Sequence, residues 1–185
     1  MTDYPIPDHY QRIYSQATIA QRVSELGREL QTWVQQSHDQ DGEQVLAICI
    51  LRGGVFFFSD LLKAIPYTVE PSFCRTMSYC SKENVQSDSF RLVVEPAEIR
   101  NRRILLVDDI CDSGQTLRNL HDYALEKGAK EVRTACLIHR IHDASVYKPY
   151  YTGFEYVGTE WFAGYGMEDK NHRSNVPEVF IIEPS

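Results

Sequence analysis

Asp108, Asp109 and Asp112 follow the apolar run Ile104-Leu-Leu-Val107 and lead directly into Ser113-Gly-Gln-Thr116. In a parallel sheet, ligands sit at the carboxyl ends of the strands, which is where these three acids fall if residues 104–107 are buried. The turn that follows opens a helix, so its hydroxyls and backbone N–H groups converge on a spot of partial positive charge that suits a phosphate. Carboxylates beside such a nest repel an anion unless they accept hydrogen bonds from sugar hydroxyls or hold a hard divalent cation. A phosphorylated sugar with Mg²⁺ meets these conditions together. The competing reading is an Asx-capped helix in which Asp112 caps while Asp108 and Asp109 are solvated. One acid would fit that reading, but three in a cluster argue against it.

The elements needed to position these groups can be read from apolar spacing. Residues 18–36 place Ile19, Val23, Leu26, Leu30, Trp33 and Val34 mostly three or four apart, which predicts an amphipathic helix capped by Ser15 or Thr18. Polar residues 37–43 end it. Residues 45–51 form a continuous apolar run of strand length, Arg52-Gly53-Gly54 makes a turn, and 55–65 reads as a helix. Residues 68–79 and 92–94 look like strands on either side of a polar, aperiodic loop at 81–89. Residues 103–107 are the strand before the acids, and 116–127 the helix after them, stopped by Gly128. Further strands fall at 132–138, 156–157 and 179–182. Strands alternating with helices imply crossovers and an α/β fold with a mainly parallel sheet flanked by helices. With no repeat or long linker, residues 1–185 read as one domain.

The composition fits this class. Hydrophobic residues make up 43% and charged residues 24% of the 185, as in ordinary soluble globular proteins. No apolar run approaches the roughly 20 residues of a membrane helix. The polar, acidic opening lacks the pattern of a secretory signal, so the expectation is a cytoplasmic protein. A net charge of −7 argues against nonspecific nucleic-acid binding. Five cysteines without a C-x-x-C pair suggest neither a zinc site nor a disulfide framework, and Cys49 and Cys136 read as packing residues.

Val107-Asp-Asp-Ile-Cys-Asp-Ser-Gly-Gln-Thr116 resembles the phosphoribosyl-pyrophosphate signature of the type I phosphoribosyltransferases. The resemblance implies that Asp108 and Asp109 hold the ribose hydroxyls, that Ser113, Gly114, Gln115 and Thr116 cradle the 5′-phosphate, and that Asp112 accepts a proton from the base. Leu51-Arg-Gly-Gly54 resembles the pyrophosphate loop of the hypoxanthine-guanine branch, with Arg52 where Lys is usual; the peptide before that residue can be cis in the family. Arg52 and Gly53 are then the pyrophosphate residues, joined by Arg173 if one residue is deleted before it. Ser78 and Tyr79 are similar to the branch's flexible lid.

Gly153-Phe-Glu155 and Trp161-Phe-Ala-Gly-Tyr-Gly-Met-Glu-Asp169 resemble the purine pocket, with Trp161 to stack on the base and Phe162 to offer backbone groups to its edge. Glu168, or Asp169 beside it, would serve Mg²⁺ along with Asp108 and Asp109. An ungapped alignment puts His139 where the branch carries the Lys that meets the purine 6-oxo group, with Arg140 its neighbour; either can donate. The resemblance implies a type I fold with a core at about 40–140 and a small hood from about 141–185 and part of the N-terminus. It also implies a dimer or tetramer and transfer of phosphoribosyl to hypoxanthine or guanine, while the charge and the lack of a long apolar run lead to the expectation of no nucleic-acid or membrane partner. Transfer to xanthine or another base is the nearest alternative, and a nucleotide-sensing RNA binder of the same fold a more distant one.

Overall fold

A computed structural model of the chain describes residues 6–75, 99–168 and 173–182. In chain order the elements are β1 (Tyr10–Tyr14), α1 (Gln16–Gln36), β2 (Val45–Leu51), α2 (Val55–Ala64), β3 (Val69–Arg75), β4 (Arg103–Cys111), α3 (Gln115–Glu126), β5 (Glu131–Arg140), β6 (Tyr151–Tyr156), β7 (Trp161–Ala163) and β8 (Val179–Ile182). The main sheet has the order β3-β2-β4-β5-β6, and all its strand pairs are parallel. This is the α/β architecture that the alternating pattern implies.

Burial on both faces explains the apolar runs of β2 and β4. One core lies toward α1 and α2, where Leu26, Leu30, Phe57 and Leu61 pack on Ala47, Leu105 and Leu137. The other lies toward α3, where Leu117 and Leu120 meet Ile48, Ile104 and Leu106. Ser15 caps α1 by accepting a hydrogen bond from the backbone N–H of Thr18 at 3.2 Å.

A second sheet, β1-β8-β7, is antiparallel and joins the N-terminal strand to two C-terminal ones. It forms the hood. Tyr165 at its base donates to Asp60 Oδ2 of α2 at 2.7 Å, tying hood to core.

Several boundaries differ from the sequence reading. β4 runs on through the acids to Cys111, because Asp108, Ile110 and Cys111 pair with Cys136, Ile138 and His139 of β5. β6 covers Tyr151–Tyr156 rather than 156–157 and lies in the main sheet beside β5. A π-helical turn, Ser37–Asp41, follows α1 where polar composition suggested only a stop. Residues 76–79 of the expected third strand, and all of 92–94, lie outside the described residues.

Candidate active site

The extension of β4 changes how the acids are presented. Successive strand residues point to opposite faces, so Asp108 and Asp109 diverge and open onto neighbouring cavities. Asp108 lines a recess of about 90 Å³ with Asp112, Ser113, Gly114, Gln115 and Thr116. Asp109 lines a larger cavity, about 230 Å³, with Ile110, Asp112, Arg140, Trp161, Phe162, Met167 and Glu168. Ile110 and Asp112 border both, so the two volumes meet at the third acid.

The smaller recess has the features of an anion site. Helix α3 starts at Gly114, which lends no side-chain cap, so among the described residues the N–H groups of Thr116 and Leu117 are left for a ligand. Gly114 adopts φ +80°, and a Cβ there would lie 2.7 Å from Tyr147 Cβ. Only glycine fits that turn. The Ser113 hydroxyl accepts from Gln115 N at 3.3 Å, and Ser113 O accepts from Val146 N at 2.8 Å. The turn is thereby held from inside and outside.

On the opposite side, helix α2 also begins without a side-chain cap, at Gly54. The Leu51–Arg52 peptide is cis. Gly53 lies so close to Asp109 that a Cβ would sit 2.0 Å from Oδ2. The pair of glycines after Arg52 therefore lets the β2 turn close onto the acids. Arg52 itself is largely exposed and pairs with Glu168 Oε2 at 3.1 Å. Glu168 O in turn accepts from Trp161 Nε1 at 3.1 Å.

No ion pair reaches Asp108 or Asp109 among the described residues, and Asp109 N donates to Asp108 Oδ1 at 3.0 Å. Burial, reinforced by the charge of Asp109, pushes the Asp108 carboxyl well above the usual carboxylate range, and burial raises Asp109 as well. Asp112 differs. Its side chain is 67% exposed, and its Oδ1 faces Arg140 Nε at 3.1 Å and His142 Nε2 at 3.5 Å.

The larger cavity joins an aromatic platform to polar walls. Trp161 leaves 63% of its surface exposed, unusual for an indole that is not waiting for a partner. Phe162 is buried and packs edge-on against Tyr156. Arg140 lies over the Phe162 ring, 4.6 Å from its centroid.

His139 is not brought to this cavity. It precedes Arg140 on β5 and therefore faces the other way, onto a separate open cavity of about 460 Å³ with His142 and Lys148. It is 3% exposed, and neither ring nitrogen has a hydrogen-bond partner among the described residues. Burial lowers its pKa, with Glu155 opposing and Lys148 and His142 adding. Of the two candidates at this turn, Arg140 is the one that reaches Asp112 and the platform. Arg173 is also elsewhere: its guanidinium stacks 5.1 Å from the Tyr10 ring and donates to the Tyr10 hydroxyl at 3.4 Å. Ser78, Tyr79 and Asp169 lie outside the described residues.

Ile110 and Met167 line the larger cavity although the sequence reading gave them no role. For Ile110 the signal was present: Ile110-Cys111 continues the apolar character of β4 past the acids.

The chain's likenesses agree with this site. A family model described as a phosphoribosyl transferase domain matches residues 20–170. The hypoxanthine-guanine phosphoribosyltransferase of Aquifex aeolicus is 30% identical over 89% of this chain and 90% of its own. The hypoxanthine-guanine-xanthine phosphoribosyltransferase of Tritrichomonas foetus is 30% identical over 100% and 98%. Among solved structures, a hypoxanthine phosphoribosyltransferase from Staphylococcus aureus superposes with a TM-score of 0.81 at 21% identity, covering 94% of this chain and 91% of that one. A strand-end pair of acids, an uncapped glycine turn and a match over most of the length lead to one conclusion: the chain belongs to the phosphoribosyl transferase domain family.

Proposed function

We propose that the protein is a purine-salvage enzyme that transfers the 5-phosphoribosyl group of phosphoribosyl pyrophosphate to N9 of hypoxanthine or guanine and releases pyrophosphate. The observation that carries this reading is the meeting of two cavities at Asp112, one built for a phosphate and the other for a flat ring. The 5′-phosphate takes the turn from Ser113 to Thr116, and the ribose hydroxyls meet Asp108 and Asp109. The base lies on Trp161 beside Phe162. Asp112 accepts the proton that the base loses as its bond to ribose forms.

The carboxylates suit Mg²⁺. Two adjacent buried acids without a cationic partner among the described residues are hard oxygen donors in need of positive charge. No group of three ligands among the described residues could hold the ion unaided, which fits an ion that arrives with the diphosphate. Asp108 and Asp109, with Glu168 near Arg52, would hold Mg²⁺, which would supply positive charge to the leaving pyrophosphate. Arg52 adds a cation, and the Gly53 turn brings backbone to the same anion.

Xanthine is a second acceptor to test, since the Tritrichomonas foetus relative is named for it. RNA binding is disfavoured by the acidic net charge of −7. The same reading includes a cytoplasmic setting and homo-oligomeric assembly. The free, buried state of Cys49, Cys74, Cys111 and Cys136 suits a reducing compartment.

The direct test is Asp112→Asn. Turnover should fall on the order of 100-fold or more while phosphoribosyl pyrophosphate binding and thermal stability stay near wild type. Unchanged turnover would remove the proton-accepting role.

A further inference from the structure

The open cavity of about 460 Å³ that His139 lines shares no lining residue with the two that meet at Asp112. Its size is that of a small-molecule site. Asp108 and Asp112 border the phosphate recess, and Asp109, Asp112 and Glu168 the base cavity, whereas no carboxylate borders this third cavity among the described residues. Its polar lining is His139, His142, Ser145 and the exposed Lys148. Ile141, Val146 and Tyr147 supply an apolar wall, in which Ile141 is 38% and Val146 44% exposed. The wall is fixed from behind. Val146 N donates to Ser113 O at 2.8 Å, and the Tyr147 hydroxyl accepts from Thr134 Oγ1 at 3.3 Å.

The buried His139 ring, on the lining and without a hydrogen-bond partner among the described residues, marks this cavity as a site. A buried imidazole left unpaired disfavours the fold, and a ligand that accepts from its N–H relieves that cost. The Lys148 ammonium makes an anion the favoured ligand, and the apolar wall suits a flat body attached to it. Glu155, the partner of His139 in register on β6, does not border the cavity. We propose that this cavity is a second binding site, for a small organic phosphate with a flat apolar body, and that its occupation draws His142 away from Asp112. His139 and Lys148 meet the phosphate oxygens while the body lies along Val146 and Tyr147. His142 belongs to both places, since it lines the cavity and its Nε2 stands 3.5 Å from Asp112 Oδ1. A phosphate monoester, near two negative charges at neutral pH, outcompetes one exposed carboxylate for that imidazole. The effect on Asp112 rests on the transfer reading above; the binding site itself does not.

The probe is phenyl phosphate, titrated into the full chain while the imidazole resonances of His139 and His142 are followed by NMR, each assigned from its own substitution. In wild type both should shift saturably with one Kd. Lys148→Ala should raise that Kd about fivefold or more. His139→Leu should abolish the saturable shift of His142 while the free protein melts no lower than wild type, because the substitution removes an unpaired buried group. If His139→Leu fails to fold, the exposed Lys148→Ala decides alone. No saturable shift at His139, or a shift at His142 that ignores Lys148→Ala, overturns the site. Turnover tests the coupling: at saturating phenyl phosphate kcat should fall about threefold or more in wild type, with KM for phosphoribosyl pyrophosphate within about twofold, and Lys148→Ala should need correspondingly more of the probe. A kcat unchanged while His139 is saturated overturns the link to Asp112. A wild type that turns over no oxopurine overturns the transfer reading and that link with it, and the resonance of His139 still decides the site.

Discussion

Strand β4 carries charge at both ends. At its start, Arg103 is 7% exposed, yet its Nε donates to Asp41 Oδ2 at 2.8 Å and its Nη1 lies 3.3 Å from Glu131 Oε2. Lys130 adds a second cation to Asp41, and that hydrogen bond, followed by Arg103, holds the Asp41 carboxyl below its usual range. At the other end, Asp108 and Asp109 sit side by side with no ion pair among the described residues, and burial drives their carboxyls upward. Buried charge that is paired inside the chain closes a structure. Buried charge left unpaired is open to a ligand. The same strand thus shows in one element how a structural charge differs from a functional one.

Removing Arg103 tests the paired end and should have the larger effect on stability. Arg103→Met leaves Asp41 and Glu131 with less compensation and should cost about 3 kcal/mol, which for a chain of this length lowers Tm by roughly 6–12 °C. A melting curve that does not move would mean the pairing contributes nothing.

The unpaired end should respond in the opposite direction. An acid whose pKa is raised on folding binds more protons folded than unfolded, so its ionisation destabilises the native state as pH rises from about 4 toward the raised value. Asp108→Asn removes that penalty. At neutral pH its Tm should exceed wild type by roughly 2–4 °C, about 1 kcal/mol, and the gap should close as pH approaches 4. Affinity for phosphoribosyl pyrophosphate with Mg²⁺ should meanwhile fall about 10-fold or more. Lower stability across that pH range would contradict the reading of Asp108 as an uncompensated charge.

How much of this was legible in the sequence depends on the range of the forces involved. Helix α1 and its Ser15 cap were readable because side chains three and four apart report one face, and a cap is a local bond. The first half of β4 was readable as an apolar run. Its second half was not, since aspartates are poor strand formers and the extension depends on pairing with β5, residues far along the chain. β1 and β7 were missed because they are short strands whose partner, β8, is distant in sequence.

The site shows the same division. Ser113 to Thr116 form a contiguous turn and were found as one. The choice between His139 and Arg140 was left open because it turns on which face of β5 each side chain takes, a matter of sheet register that ungapped alignment does not report. The position of Arg173 was not legible for a related reason: its contact with Tyr10 joins residues near the two ends of the chain. Gly53 was read as a backbone approach to an anion, whereas its tightest neighbour is the Asp109 carboxylate.

The most direct measurement is pyrophosphate release by the wild-type protein with phosphoribosyl pyrophosphate, Mg²⁺ and each purine base offered separately. The account predicts release that requires an oxopurine, matched mole for mole by nucleotide, and little or none with adenine. Protein that binds phosphoribosyl pyrophosphate yet releases nothing with any oxopurine would contradict it.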